Sequence, residues 1–171
     1  MATIDLIVLG MLKQEPRSAY ELQKLVEYRN ISKWVRISTQ SIYKKVLQLE
    51  EKGYVKSSIA KEGKMPEKAI YSLTATGEKE FRNLMGEISD SPIYFFLDFN
   101  AVIVNLESLP PEMQKICLSS IEAHIKALRS ELEESFNAKK DVPEIPKTGM
   151  AVLQQQLMLA QTIETWIASL K

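Results

Sequence analysis

The side chains with the clearest chemical capacity in this sequence gather between Ser38 and Gly53. Thr39, Gln40, Ser41, Tyr43 and Lys44, with Lys45 beside them, offer hydroxyl, amide, phenol and ammonium groups. Groups of this kind hydrogen-bond base edges and pair with phosphates. Ile42, Val46 and Leu49 interleave with them at i, i+4 and i+7, so the stretch predicts one helix with an apolar stripe inward and a polar start outward. Ser38 or Thr39 suits the N-cap, and Gly53 suits the left-handed residue that stops the helix. The chemistry on offer is recognition by hydrogen bonds and charge, as in a DNA recognition helix. A solvated amphipathic helix with lysines on its outer face looks the same when taken alone, so the flanking elements must decide.

Bond-making chemistry has little to stand on. The chain holds one histidine, His124, and one cysteine, Cys117, on the same predicted helix. Seven residues apart they share a face, but about 10 Å of helix rise separates them and they form no catalytic pair. No glycine-rich phosphate loop, HExxH or CxxC occurs, so no enzyme, metal or cofactor is expected.

The elements that must position the polar helix follow from periodicity. Ile4, Ile7, Val8, Met11 and Leu12 predict a helix over residues 3–14, ended by Pro16. Ser18-Ala19-Tyr20-Glu21 fits a capping box opening a second helix with Ala19, Leu22, Leu25 and Val26 inward. A connection over residues 31–37 carries Lys33, Trp34 and Arg36. Two helices followed by a third with an exposed polar start is the helix-turn-helix order, although plain three-helix bundles share it. The segment after Gly53 discriminates. Val55, Ser57 and Ile59 alternate, as do Ala69, Tyr71 and Leu73, which predicts two strands joined by a polar turn with Lys61, Lys64 and Lys68. A recognition-type helix followed by a lysine-tipped hairpin is a winged helix. Lysine-rich hairpin tips also serve solubility alone, but beside this helix they are candidates for phosphate or minor-groove contact.

Thr74 or Thr76 caps a fourth helix with Phe81, Leu84, Met85 and Ile88 on one face, and Ser89-Asp90-Ser91-Pro92 marks a domain boundary. The rest reads as all-helical. Residues 93–106 are apolar nearly all round and predict a buried or intersubunit helix, since they are too short and too polar to span a bilayer. Pro110 and Pro111 open a long helix to about Asn137, with Met113, Ile116, Cys117, Ile121, Ile125, Leu128, Leu132 and Phe136 on its apolar side. A final helix over residues 148–170 carries two stripes, one of Leu159, Ile163, Trp166 and Leu170, the other of Leu153, Leu157, Ala160 and Ile167. That surplus suggests a dimer interface, and pairing doubles the contacts a winged helix makes on a palindromic site. Trp34, Phe95, Phe96, Phe99 and Trp166, with Tyr94, are aromatic candidates for lining an effector cavity, against the ordinary use of such residues at helix junctions.

Charge is distributed to match. The chain is neutral overall, with 22 Lys+Arg and 22 Asp+Glu. Residues 1–88 hold 15 basic and 11 acidic residues, net +4, and residues 89–171 hold 7 and 11, net −4. Between Arg29 and Lys68 there are 10 basic and 4 acidic residues, net +6. Such asymmetry is the footprint of a basic binding module joined to an acidic one. The composition is that of a soluble globular protein, the single cysteine fits a reducing cytoplasm, and the N-terminus lacks a signal peptide's pattern. The expectation is a mainly α fold with a small β-hairpin, a winged helix over 1–88 and a helical dimerisation domain over 93–171.

The chain resembles the PadR family of bacterial transcriptional regulators. The matching strings are Ser18-Ala19-Tyr20-Glu21-Leu22, Ser41-Ile42-Tyr43-Lys44, Leu49-Glu50-Glu51-Lys52-Gly53-Tyr54-Val55 and Tyr71-Ser72-Leu73-Thr74 with Gly77, together spanning about residues 4–82. The second half is similar to the subfamily with a longer helical C-terminal domain, where Trp166 matches a recurrent tryptophan. The resemblance implies a dimer that binds operator DNA and represses transcription. In it Tyr20 and Tyr43 lie close to phosphates, the start of the third helix enters the major groove and wing lysines touch backbone or minor groove. It also implies a flat aromatic or lipophilic effector bound between the domains or across the dimer. Many relatives carry glycine where this chain has Ala19 or Gln40, so the backbone's approach to DNA can differ there. The expected DNA-binding set is Ser18, Tyr20, Arg36, Thr39, Gln40, Ser41, Tyr43, Lys44, Lys45, Lys61, Lys64 and Lys68. The rival expectation is a winged-helix adaptor that binds protein without reading DNA.

Overall fold

A computed structural model describes residues 2–35, 37–60 and 67–171. The expected contacts Arg36, Lys61 and Lys64 lie outside the described residues. The described chain has seven α-helices and a two-stranded antiparallel hairpin, and it divides into two compact units, Met1–Ile93 and Tyr94–Lys171.

In the first unit, α1 (Ala2–Gln14) buries Ile4, Val8, Leu9, Met11 and Leu12. Its neighbour α2 (Ala19–Tyr28) begins with the capping box, in which the Ser18 hydroxyl accepts from the Glu21 N–H at 3.2 Å and the Glu21 carboxylate accepts from the Ser18 N–H at 2.7 Å. A short 3-10 turn, Ile31–Lys33, leads to α3 (Ser41–Glu51), whose Ile42, Val46 and Leu49 are fully buried. Gly53 then takes φ +73°, the left-handed stop expected of it.

Strands β1 (Val55–Ala60) and β2 (Lys68–Leu73) pair antiparallel from Val55↔Leu73 to Ala60↔Lys68. Only the base of this hairpin reaches the core: Val55 and Tyr71 are buried, whereas Ile59, on the same predicted face, is 75% exposed. The expected alternation therefore ends where the hairpin runs past the helices. Thr74 caps α4 (Ala75–Ser89) by accepting from the Gly77 N–H at 3.0 Å and donates to the Gly53 carbonyl at 2.7 Å. The helix presents Leu84 and Phe81 to the core, while Met85 is exposed.

The second unit corrects the expected helix over residues 93–106. Residues 92–97 have no regular structure, and only α5 (Asn100–Val104) is helical, followed by a 3-10 turn at Leu106–Ser108. Pro92 cannot sit inside a helix, and Phe99 at the N-cap offers no side-chain hydrogen bond. Short helices also need a packing partner, and α5 has no buried residue. Ile93, Tyr94, Phe95 and Phe96 are all exposed, Phe96 to 85%.

Beyond them, α6 (Pro111–Lys139) and α7 (Lys147–Ala168) form an antiparallel helical hairpin. It is joined by the Arg129–Glu164 ion pair at 2.7 Å and by Lys171 against Glu122. The seam buries Leu118, Ile125, Ala160 and Ile167. Leu118 had no place in the expected stripe, and Ile116 and Leu128, which did, are exposed. The Trp166–Leu170 stripe of α7 is likewise left largely uncovered.

Candidate nucleic-acid interface

The start of α3 is built by a turn. The Ser41 N–H and hydroxyl both donate to the Ser38 carbonyl, at 3.1 and 2.6 Å, and the Ile42 N–H donates to the Thr39 carbonyl at 3.2 Å. The N-cap residue is Gln40, not Ser38 or Thr39, and its amide makes no capping bond. Gln40, Tyr43 and Lys44 are exposed, Tyr43 to 60%, with Thr39 and Ser41 half-buried beside them. The helix's partly positive N-terminal end adds to this surface. Six residues of the expected set thus fall on or beside α2 and α3 with groups facing solvent, the sixth being Tyr20, 67% exposed on α2 with the Lys24 ammonium 5.7 Å from its ring centroid.

Lys45 is a correction. Its side chain is only 9% exposed, and its ammonium lies 2.7 Å from the Asp5 carboxylate of α1, outside hydrogen-bond geometry. Lys52 approaches the same carboxylate at 3.9 Å. A lysine held in such a pair ties α3 to α1 and does not face a ligand. Ser18 is a second correction: it is buried, and its hydroxyl is engaged by Glu21 as cap acceptor and as donor at 2.9 Å.

The hairpin is anchored to both helices. The Ser57 N–H on β1 donates to the Glu50 carboxylate of α3 at 3.0 Å. Arg17, just before α2, exchanges backbone hydrogen bonds with Tyr71 of β2, at 3.0 and 2.9 Å. This one-residue third strand was not legible in sequence, because a single residue carries no periodicity. Burial raises the Tyr71 phenol above its usual value, and the nearby Glu50 carboxylate and Tyr43 add to the shift. At the outer end, the Lys68 ammonium pairs with Glu21 at 3.2 Å. The Ser18 backbone N–H holds the Glu21 carboxyl below its ordinary value; burial opposes this, and the Ser18 hydroxyl and Lys68 reinforce it.

The aromatic candidates divide. Phe99 and Trp166 have ring centroids 6.2 Å apart, and Tyr94 and Phe96 6.0 Å apart. Phe95 and Phe96 are exposed, and Trp34 packs against the core of the first unit. An open groove of about 480 Å³ runs along α7 past Gln154, Gln155, Met158, Leu159 and Thr162, and none of these five candidates lines it. Among the described residues no cluster of His, Cys, Asp or Glu could hold a metal ion. His124 is exposed, with Nδ1 2.8 Å from the Ser120 carbonyl, and Cys117 is half-buried. No described helix is long and apolar enough to cross a membrane.

Residues 8–83 match the model of the transcriptional regulator PadR-like family. No curated protein matches the sequence. Among solved structures, Bacillus subtilis PadR in complex with operator DNA is similar at TM-score 0.81 and 21% identity, over 98% of this chain and 96% of that one. The same Bacillus subtilis protein in complex with p-coumaric acid gives TM-score 0.80 and 19% identity, over 98% and 92%. The Vibrio cholerae virulence activator AphA gives 0.67 and 18%, over 97% and 94%. At these identities the likeness is one of fold, and it extends through the C-terminal helices. The expected mainly α fold with a winged hairpin is the fold observed, and over residues 8–83 this chain belongs to the transcriptional regulator PadR-like family.

Proposed function

We propose that this protein is a cytoplasmic, sequence-specific DNA-binding repressor that acts as a homodimer. In this reading a winged helix over 1–88 reads DNA and helices within 93–171 join two copies on a palindromic operator. Tyr20, Thr39, Gln40, Ser41, Tyr43 and Lys44 contact the duplex, and Arg36, Lys61, Lys64 and Lys68 extend the contact along the connection and the wing. The reading assigns no catalysis. The observation that carries it is the exposed amide, phenol and ammonium of Gln40, Tyr43 and Lys44 at the start of α3, in a segment of net +6 charge. The operator-bound relative of the same fold supports it. A small aromatic or lipophilic effector is proposed to release the DNA, with Phe99 and Trp166 as the paired rings that support a site for it.

The test is binding to random duplex DNA as salt is raised. Phosphate contacts release counterions, so affinity falls steeply with salt, and Lys44→Ala with Lys64→Ala flattens the slope by about two contacts' worth. A double variant that binds with wild-type affinity and slope overturns the docking, and a flat wild-type profile favours the protein-binding adaptor.

A further inference from the structure

Glu21 stands where it can govern a DNA contact without making one. Its carboxylate accepts from the Ser18 N–H at 2.7 Å and the Ser18 hydroxyl at 2.9 Å, and it pairs with the Lys68 ammonium at 3.2 Å. Ser18 opens α2, one helical turn of which carries Tyr20. Lys68 opens β2, opposite Ala60 at the outer end of the hairpin. One acid therefore joins the first turn of α2 to the wing. Its two bonds to Ser18 fix the carboxylate, whereas the lysine's ammonium sits on a flexible four-carbon stem. Both side chains are 39% exposed, so the pair is solvated and easily exchanged.

We propose that Glu21 is a positioning residue that holds Lys68 in the free protein and yields it to a DNA phosphate as the wing docks. This rests on the DNA-binding reading above. The exchange has a distinct ionic signature. Lys68 reaching a phosphate releases one condensed cation, but the Glu21 carboxylate left behind recruits one, so the net release is near zero. The pair thereby tempers sequence-independent binding, which depends on counterion release. With glutamine at position 21 nothing recruits the cation, and the full release of about 0.9 per contact appears in the salt slope.

The experiment measures the salt slope of random-duplex binding for wild type, Glu21→Gln, Lys68→Met and the double variant. Glu27→Gln controls for loss of one negative charge on the same helix. The expected result is a slope steeper by about 0.9 in Glu21→Gln alone, with tighter binding at low salt, and wild-type slopes in the other three. Lys68→Met leaves the cap of α2 untouched, so its slope is decisive even if Glu21→Gln melts early: a flattening by about 0.9 means that Lys68 contacts phosphate without any exchange. A wild-type slope in folded Glu21→Gln, or a steep slope that survives in the double variant, also overturns the proposal. Equal slopes in all five proteins leave the DNA-binding reading standing and remove this one, whereas no binding by wild type removes both.

Discussion

Lys45 shows how one side chain can carry the right chemistry and the wrong position. In sequence it adjoins Lys44 at the polar start of α3 and looks like a second cation for phosphates. In the fold it sits beside Val46 on the inward side and meets Asp5, forty residues earlier on another helix. No local pattern announces such a pair. The capping box was legible because Ser18 and Glu21 lie three apart on one chain, yet that same bond withdraws Ser18 from any ligand. Lys45→Ala leaves a nearly buried carboxylate with only Lys52 at 3.9 Å, so it is expected to lower unfolding free energy by about 3 kcal/mol in urea titration. Replacing both partners, as Asp5→Asn with Lys45→Met, recovers most of that loss, and base preference stays unchanged in every variant that is folded. A Lys45→Ala protein of wild-type stability and weakened DNA binding would reverse this assignment.

At the level of elements, the helices of the first unit and the two strands were legible because each has one buried face and a clear stop. The stretch 93–106 was not, because apolar residues at nearly every position define no face and so no helix register. Its aromatics remain exposed within a chain that offers them no covering element. The junction between hairpin and α4 was only half legible. Thr74 reads as a cap, but the need for Gly77 is spatial: a Cβ there would lie 1.9 Å from the Tyr54 carbonyl oxygen. That oxygen accepts from the Thr74 N–H at 3.1 Å and is backbone, so it cannot swing aside. Alanine at an ordinary helix position would stabilise by up to about 1 kcal/mol over glycine. Gly77→Ala is instead expected to destabilise by about 2–4 kcal/mol and to loosen the hairpin, seen as a lower melting temperature and faster amide exchange at Val55 and Tyr71. An unchanged melting temperature would show that the junction has room that this geometry denies.

For the whole molecule, the neutral total charge conceals a division of labour. The net +6 segment spans α3 and the wing, and the acidic half holds the long helical hairpin, whose Ile116, Leu128 and Trp166 stay uncovered by its own chain. A monomer that leaves such apolar surface in water while presenting a single small reading helix is poorly suited to specific binding. Two copies sharing that surface would present two reading helices related by a two-fold axis. The central claim is thus that the protein selects a symmetric DNA sequence through the start of α3. Sequencing the duplexes retained from a random pool by the full-length protein tests it directly. The account predicts an enriched inverted repeat with half-sites about 10 bp apart, or a multiple of that, and loss of preference at defined positions within each half in Gln40→Ala. A retained pool indistinguishable from the input, or an enriched site without two-fold symmetry, would contradict it.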